Sequence, residues 1–433
     1  MTTRTTDVLI VGGGFAGVFA ARAAEHRLKG RAVRIVLVAP ENFLLFSPLL
    51  PEAASGTIEP RHAVVPLREL LGGTELLAGE VASLDVAGHR AEIRDIDGNV
   101  LTVHYRTLVL APGSEPVTSP IPGLERYAVG FKTLSDAIWL RNRVLHQLET
   151  ASVATGQERR RRLLTFTFVG GGYAGVEALA ELESLVADVL PRYGGLRRDD
   201  FRWVLVEAQD SLLPGLDPRL AEYTAKVLRA RGVEVLVGTR MTSCEDNLVV
   251  LSAPEVAPYR SETIVWTAGQ RPSSLPAAAG LPLDDRGRVV VDDHLRVEGY
   301  RDVYALGDCA AVPDPSGGLC PPTAQHALRQ GYACGQNVAA DHGAGSPGPF
   351  TYRTRGLAVT LGRGQGTAQV KRVLFTGWPA WWMGRAYHVY MMPGAARRAR
   401  VVSDWALGLL FSRDVAQLGT LGRPAPLPPP PGR

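Results

Sequence analysis

The chain is predicted to fold as an α/β protein. Two doubly wound, parallel-sheet units are expected, the first split by insertion of the second, with an amphipathic helical segment at the C-terminal side. Three observations predict this. A glycine-rich strand–turn–helix pattern occurs twice, a strand ending in Gly-Asp comes late in the chain, and the C-terminal stretch turns rich in Trp, Met and Arg.

The first glycine pattern lies in DVLIVGGGFAGVFAARAA, with Gly12, Gly14 and Gly17 spaced G-x-G-x-x-G. The second lies in LLTFTFVGGGYAGVEALAEL, with Gly170, Gly172 and Gly175. Each follows a β-branched, apolar run and opens a helical pattern. In that context the spacing is the fingerprint of a Rossmann-like dinucleotide-binding unit. The first glycine allows the tight turn, the second lets a pyrophosphate approach the backbone, and the third lets the helix pack on the strand. The helix N-terminus then offers free N–H groups and a partial positive charge to phosphate. Glycine-rich strand–helix turns also occur without a ligand. Two of them in one chain point instead to two dinucleotides face to face: a resident flavin and an exchanging nicotinamide.

Bulk composition excludes several other classes. A chain of 433 residues accommodates two or three domains. Hydrophobic residues at 45% and charged residues at 21% are an ordinary globular mix. A net charge of +4 is too small to imply nucleic acid, and no aromatic-plus-basic motif supports it. Cys244, Cys309, Cys320 and Cys334 include no C-x-x-C pair, so no disulfide framework, zinc site or dithiol centre is indicated, and no metal is expected. That usage fits a reducing cytosol. The apolar run after Arg4 and Asp7 is broken at once by glycines, unlike a signal peptide. No stretch of about 18 apolar residues predicts a spanning helix.

Taken in order, residues 7–11 read as a strand, 15–27 as a helix and RIVLVAP (34–40) as the second strand. The acid that holds an adenosine ribose belongs at the end of that strand. Ala39-Pro40 stand there instead, so Glu41 is the candidate from a shifted position. ENFLLFSPLLPEAASGTIEPRH has too many Pro and Gly for a long helix; it covers a flat ring or is an ordinary core loop. TLVLAPGS (107–114) reads as a buried strand ending in a glycine turn, and RRRR (159–162) as a solvated loop tip.

FRWVLVEAQDSLLPG (201–215) is the second strand of the second unit and ends in Glu207. A carboxylate there accepts both ribose hydroxyls and repels a 2′-phosphate, so NADH is expected over NADPH. SETIVWTAGQRP (261–272) is a further apolar strand with a glycine turn. DVYALGDCAAV (302–312) delivers Gly307-Asp308 to a helix start, where Asp308 accepts a hydrogen bond from a polyol hydroxyl. With the N-terminal fingerprint, it reads as the second half of a split flavin domain. PPTAQHALRQGYACGQNVAA (321–340) reads as a helix from about Thr323 with Gln325 and Arg329 on one face. Its N-terminus points at the flavin's pyrimidine end, unless it is a plain surface helix.

Residues 351–418 change character. GWPAWWMGRAYHVYMMPGAARRARVVSDWALGLLF holds four of the seven Trp and three of the five Met, interrupted by Arg385, His388, Arg397, Arg398 and Arg400. That mix suits a bilayer interface, with rings at headgroup depth and Arg against anionic lipid. The alternative is a helical pair packed on the body or forming a homodimer seam. PAPLPPPPGR cannot pack a core and reads as disordered or polyproline-like. The expected division is 1–115 and 291–350 for the split FAD-binding domain, 116–290 for the NADH-binding domain, 351–420 for the membrane-interface segment and 421–433 for the Pro-rich tail.

Together these features resemble the two-dinucleotide-binding-domain flavoproteins and, within them, the type II NADH dehydrogenases, which are non-proton-pumping NADH:quinone oxidoreductases. The resemblance runs from Asp7 to about Leu418. It rests on LLFSPLLPEAASGTIEPRHAVVPLR, FKTLSDAIWLRNRV, GGGYAGVEALAEL, LGD, PPTAQHALRQG and SDWALGLLFSRD in that order. It implies FAD against the first fingerprint with Asp308 on the ribityl chain, and NADH at the second with Glu207 on its ribose. The cofactor-binding residues it implies also include Phe15, Ala16, Val81, Ala111, Pro112, Gly113, Tyr173, Ala268, Gly269, Gly307 and Ala324. A glutamate two residues after the last glycine, here Glu177, falls near the nicotinamide–flavin contact. The family's quinone site lies by a helix with an A-Q-x-A-x-Q pattern. Ala324 and Gln325 match it, Arg329 stands in the second glutamine's place, and Gln330 follows. Glu177, Gln325, Arg329 and Gln330 are therefore the candidate catalytic residues.

The expected activity is hydride transfer from NADH to FAD and then two electrons to a membrane quinone, by a peripheral enzyme on the cytoplasmic face. A soluble NADH-dependent flavin reductase with another acceptor is one alternative. A flavin- and NADH-binding sensor with little turnover, using residues 378–411 as a partner surface, is another. Sulfide:quinone chemistry needs cysteines that this chain lacks before Cys244. The C-x-x-x-x-C of glutathione-reductase-like enzymes is absent too.

Overall fold

A computed structural model describes residues 2–117, 120–354 and 356–417. An eight-stranded sheet runs in the order Thr2–Thr5, Val100–His104, Arg90–Asp95, Thr74–Asp85, Ile35–Ala39, Val8–Val11, Thr107–Leu110, Val303–Ala305. Its core is parallel, with Val11 opposite Val38 on one side and Leu110 on the other. These strands are buried along their whole length, which is why they read as unbroken apolar runs rather than alternating ones. Strand Val303–Ala305 returns late to pair with Leu108–Leu110 and completes this sheet.

A second, five-stranded parallel sheet runs Ala128–Gly130, Thr263–Trp266, Thr165–Val169, Arg202–Val206, Val233–Leu236. It lies wholly between the strands of the first, so the α/β architecture is two doubly wound units, one inserted in the other. A two-stranded ribbon crosses between them, Ser114–Pro116 antiparallel to Gln270–Pro272. In this inserted part helix Leu134–Val153 begins with a capping box: the Thr133 side chain accepts from Asp136 N–H, and Asp136 accepts from Thr133 N–H.

Helices Phe15–Arg27 and Ala324–Asp341 pack against each other at backbone distance. A Cβ on Gly331 would lie 2.5 Å from the Ala16 carbonyl oxygen, and one on Gly335 would lie 2.3 Å from that of Ala20. A glycine inside a helix costs about 1 kcal/mol relative to alanine. Here the close crossing offsets it and fixes one part of the split unit on the other.

Two local features differ from the sequence reading. Residues 159–162 are not a loop tip: they lie in helix Gln157–Leu163, where Arg162 pairs with Glu262 at 3.3 Å. The C-terminal segment is helical only in its later part. Gly356–Thr360, Gly366–Val370 and Val373–Thr376 form a three-stranded antiparallel sheet before helices Gly377–Met391 and Ala395–Leu410. Short alternating runs joined by turns at Gly362, Gly364 and Lys371, all at positive φ, account for that sheet. The Pro-rich stretch 421–433 lies outside the described residues.

Candidate functional site

The two fingerprints fold alike. Gly12 has φ +113°, and a Cβ there would meet the Ala111 carbonyl oxygen at 2.1 Å. Gly170 has φ +116°, and a Cβ would meet Thr267 Oγ1 at 2.6 Å. A Cβ on Gly17 would lie 2.0 Å from the Gly12 carbonyl oxygen, and one on Gly175 the same distance from that of Gly170. The protein's own packing requires these four glycines. The middle pair differs: Gly14 and Gly172 have nothing within 4 Å, ordinary φ values of −80° and −72°, and no side-chain cap on the helices they begin. Nothing in the protein demands glycine at either. The space and the uncapped N–H groups suit a pyrophosphate at both places.

At the second cradle Glu207 follows strand Arg202–Val206. Its carboxylate accepts from Gly171 N–H at 2.5 Å and from Gln209 N–H at 2.7 Å, which holds it over the glycine turn. At the first cradle the matching place is Ala39, and Glu41 is exposed beyond it. Val81 lies beyond the carboxyl end of strand Ile35–Ala39, since Ala39 is paired with Ala78 on Val81's strand, and is itself paired with Ile93. Ala111 donates to Val11, and Pro112-Gly113 make the turn that leads to Ser114. Gly269 closes the corresponding turn of the second unit at φ +80°.

Gly307-Asp308 reach the first cradle from the far end of the chain. A Cβ on Gly307 would stand 3.1 Å from the Ala16 Cβ. Asp308 accepts from Ser114 Oγ at 3.0 Å. Lys132, which sequence reasoning did not single out, donates to Ser114 Oγ at 3.1 Å and to Gln270 Oε1 at 2.9 Å. Burial pulls its ammonium pKa down, and the negative charge of Asp308 opposes that. Asp308 and Lys132 therefore meet at Ser114 of the crossing ribbon. FKTLSDAIWLRNRV held the signal, but no spacing tied its lysine to an aspartate so far away.

Gln330 is buried, and its side-chain oxygen accepts from Gly307 N–H at 2.8 Å, which holds the glycine turn in place. Gln325, on the first turn of its helix, donates to the Gly356 carbonyl at 3.2 Å and accepts from the Tyr352 hydroxyl at 3.0 Å. Arg329 lies over the same Tyr352 ring, at 5.5 Å from its centroid. Gln325 and Arg329 therefore converge on Tyr352, while Gln330 faces elsewhere.

Glu177 is buried on the second fingerprint helix, Tyr173–Val189, with Tyr173 at its start. Its Oε1 accepts from Thr360 N–H at 2.8 Å and from Thr360 Oγ1 at 3.2 Å. Burial pushes its carboxyl up to about 8, against those two hydrogen bonds and with help from the charges of Glu181 and Glu52. At neutral pH Glu177 therefore holds a proton. One strand, Gly356–Thr360, touches Gln325 at its start and Glu177 at its end.

The C-terminal helices cover the loop that follows the first unit's second strand. Met392, Val401 and Trp405 pack with Phe46, Leu49, Ala53, Ile58 and Ala63, and Phe46 stands 5.6 Å from Phe15. Beneath them the buried Arg385 pairs with the buried Glu52 at 3.0 Å, and Trp405 Nε1 donates to the other Glu52 oxygen at 2.5 Å. The Arg385 guanidinium also lies 3.9 Å from the Trp381 ring centroid. The outer face is apolar: Trp378 is 63% exposed, Leu410 77% and Phe411 66%. No helix among the described residues is long and apolar enough to cross a membrane. All four cysteines are free and buried.

Residues 6–331 match the family described as pyridine nucleotide-disulphide oxidoreductase. The chain is 30% identical to the type II NADH:quinone oxidoreductase Ndh of Mycobacterium tuberculosis, covering 95% of this chain and 89% of the relative. The chain belongs to the type II NADH:quinone oxidoreductases. It is also 28% identical to the internal alternative NAD(P)H-ubiquinone oxidoreductase A1, a mitochondrial protein of Arabidopsis thaliana, over 95% of this chain and 85% of the other. The fold matches that of Plasmodium falciparum NDH2 in complex with NADH, with a TM-score of 0.85 at 18% identity, covering 95% of this chain and 99% of that one. The type II oxidoreductase chain has no C-x-x-x-x-C, so the disulphide in the wider family's description has no counterpart here.

Proposed function

We propose that this type II NADH dehydrogenase oxidises NADH with FAD and passes two electrons to a membrane quinone, without pumping protons. The observation that carries this reading is the pair of glycine cradles, each with a middle glycine that faces open space at an uncapped helix start. FAD, when bound, supplies the redox chemistry, accepting hydride from NADH and releasing electrons to quinone. The protein's part is position and proton control.

In this assignment residues 1–115 and 291–350 hold FAD and residues 116–290 hold NADH. Gly12 and Gly17 shape the turn, and Gly14, with the helix from Phe15, takes the FAD pyrophosphate. Asp308, fixed by Ser114, takes a ribityl hydroxyl, and Gly307 keeps the approach open. Gly172 takes the NADH pyrophosphate, and Glu207 takes the ribose hydroxyls, disfavouring a 2′-phosphate. Glu177 keeps a proton in a dry site near the two rings. Gln325, with Arg329 and Tyr352 beside it, lines the quinone side. Residues 378–411 rest on anionic lipid at the cytoplasmic face, where Trp378, Leu410 and Phe411 offer apolar area and neighbouring arginines offer charge.

NADH oxidation by the purified, flavin-loaded protein with a short-chain quinone tests the reading, with and without anionic liposomes. Quinone-dependent turnover that rises with lipid is expected. Rapid flavin bleaching by NADH, with reoxidation no faster when quinone is added, would leave the cofactors in place and remove the quinone assignment.

A further inference from the structure

Beside the helix that carries Gln325, three side chains of different chemistry meet. Asp314 and Cys320 belong to a short hairpin. Pro313 bridges Leu319 in antiparallel register, Asp314 N–H donates to Gly318 O at 3.0 Å, and Cys320 N–H donates to Val312 O at 2.9 Å. His326 comes from the first turn of helix Ala324–Asp341, which begins just after the hairpin. One carboxylate oxygen of Asp314, the Cys320 thiol and one His326 ring nitrogen all lie within 4.8 Å of one another. Cys320 and His326 are buried, and Asp314 is half-buried at the rim.

We propose that Asp314, Cys320 and His326 form a binding site for one borderline divalent cation, with Zn2+ the ion that fits best. The donor set carries the argument. Carboxylate, thiolate and imidazole together suit zinc, and three protein ligands leave one position of a tetrahedron for water. Charge balances as well: Asp− and Cys− with a neutral imidazole cancel an M2+ ion, so the buried site closes with no net charge. Ligation replaces the Cys320 S–H bond by an S–metal bond and releases that proton to solvent.

The geometry needs a small contraction. Metal–ligand bonds of about 2.0–2.3 Å make a tetrahedron with edges of roughly 3.3–3.8 Å. Asp314 holds Ser316 N–H through Oδ1 at 2.7 Å, which leaves its other oxygen to turn inward. His326 lies between two threonine hydroxyls, Thr323 Oγ1 at 2.8 Å from Nδ1 and Thr354 Oγ1 at 3.3 Å from Nε2. One nitrogen gives up its threonine for the ion, and the other keeps a partner that fixes the ring, as outer-shell groups of metal sites do. No paired-cysteine spacing announces this site, because its ligands come from two hairpin strands and a helix start.

The test is metal retention by the flavin-loaded protein. Samples are incubated with Zn2+, passed through a desalting column and analysed for zinc and flavin. About one zinc per chain is expected, falling at least roughly tenfold in Cys320→Ser and in the milder loop variant Asp314→Asn, with flavin content unchanged. Co2+ in place of Zn2+ should add a thiolate-to-metal charge-transfer band to the difference spectrum, absent in Cys320→Ser. The group Asp292, Asp293 and His294, whose aspartates are exposed, supplies the control. Zinc lost only in His294→Ala, equal retention by Cys320→Ser and the parent, or no retention by the parent would each overturn the proposal. None of these readouts depends on turnover, so failure of the quinone assignment leaves them intact.

Discussion

Glu207 occupies in the second unit the place that Ala39 occupies in the first. A Cβ on Gly171 would meet the Glu207 Cβ at 2.9 Å, and one on Gly13 would meet the Ala39 Cβ at 2.7 Å. The two cradles thus share a backbone, and at this place the second alone carries a carboxylate. Replacing Glu207 by Arg removes the proposed ribose acceptor and supplies a partner for a 2′-phosphate. NADH efficiency should fall and NADPH efficiency rise, shifting the ratio of the two by about tenfold or more, as 1.4 kcal/mol corresponds to tenfold. An unchanged ratio of kcat/KM values would refute the ribose placement.

The glycines of one fingerprint should separate by role. Gly172→Ala introduces a methyl into open space at an ordinary φ, so the fold and its flavin should survive. Flavin reduction by NADH, read by stopped flow at subsaturating NADH, should slow by at least about tenfold as the pyrophosphate is displaced. Gly175→Ala places its methyl 2.0 Å from a carbonyl oxygen and should lower soluble yield instead. A Gly172→Ala enzyme reduced at the parent rate would mean that the space beside Gly172 is not the pyrophosphate seat.

Burial raises the Glu177 pKa to about 8, from 4.5 in an exposed chain. Between those values the unfolded chain has lost its proton and the folded chain keeps it. This group's contribution to stability is therefore complete below about 4.5 and is lost progressively as pH rises to about 8. A tenfold difference in proton affinity corresponds to about 1.4 kcal/mol, so the loss amounts to a few kcal/mol. Glu177→Gln should flatten this part of the pH–stability curve, measured by denaturant melts from pH 5 to 8. Equal slopes in parent and variant would show that Glu177 ionises freely in the folded protein.

Leu410 and Phe411 are exposed and are expected to meet lipid. Changing both to Ser should weaken sedimentation with anionic liposomes by about tenfold or more, at about 0.8 kcal/mol per buried methylene. The thermal midpoint should hardly move, since exposed substitutions fall within about 0.5 kcal/mol. Unaltered liposome binding would place the contact face elsewhere.

Local patterns carried much of this fold. Each fingerprint strand and helix was legible because its residues are neighbours in sequence, and Glu207 follows its strand directly. Asp308 was legible only in combination with a fingerprint far upstream. What escaped were contacts made by the chain's return. Lys132 at Asp308, Thr360 at Glu177 and Arg385 at Glu52 each join segments that no periodicity connects. The sheet of residues 356–376 escaped for another reason. Its strands are four or five residues long, and the aromatic signal that follows them dominated the reading of the whole segment.

The Glu52–Arg385–Trp405 contact sets a limit on how this protein can be simplified. A chain shortened before Gly377 would lose the arginine and the indole together and uncover the apolar loop on which Met392, Val401 and Trp405 pack. Even replacing Arg385 alone, with the helices in place, removes one partner of a buried pair at a cost of about 3–5 kcal/mol, a large fraction of a domain's stability. The C-terminal helices are thus a structural wall over the loop of residues 46–63 and, in the proposed reading, also the surface offered to lipid. Detaching the enzyme from a bilayer while keeping it intact calls for repainting the outer face of those helices, not for cutting them away.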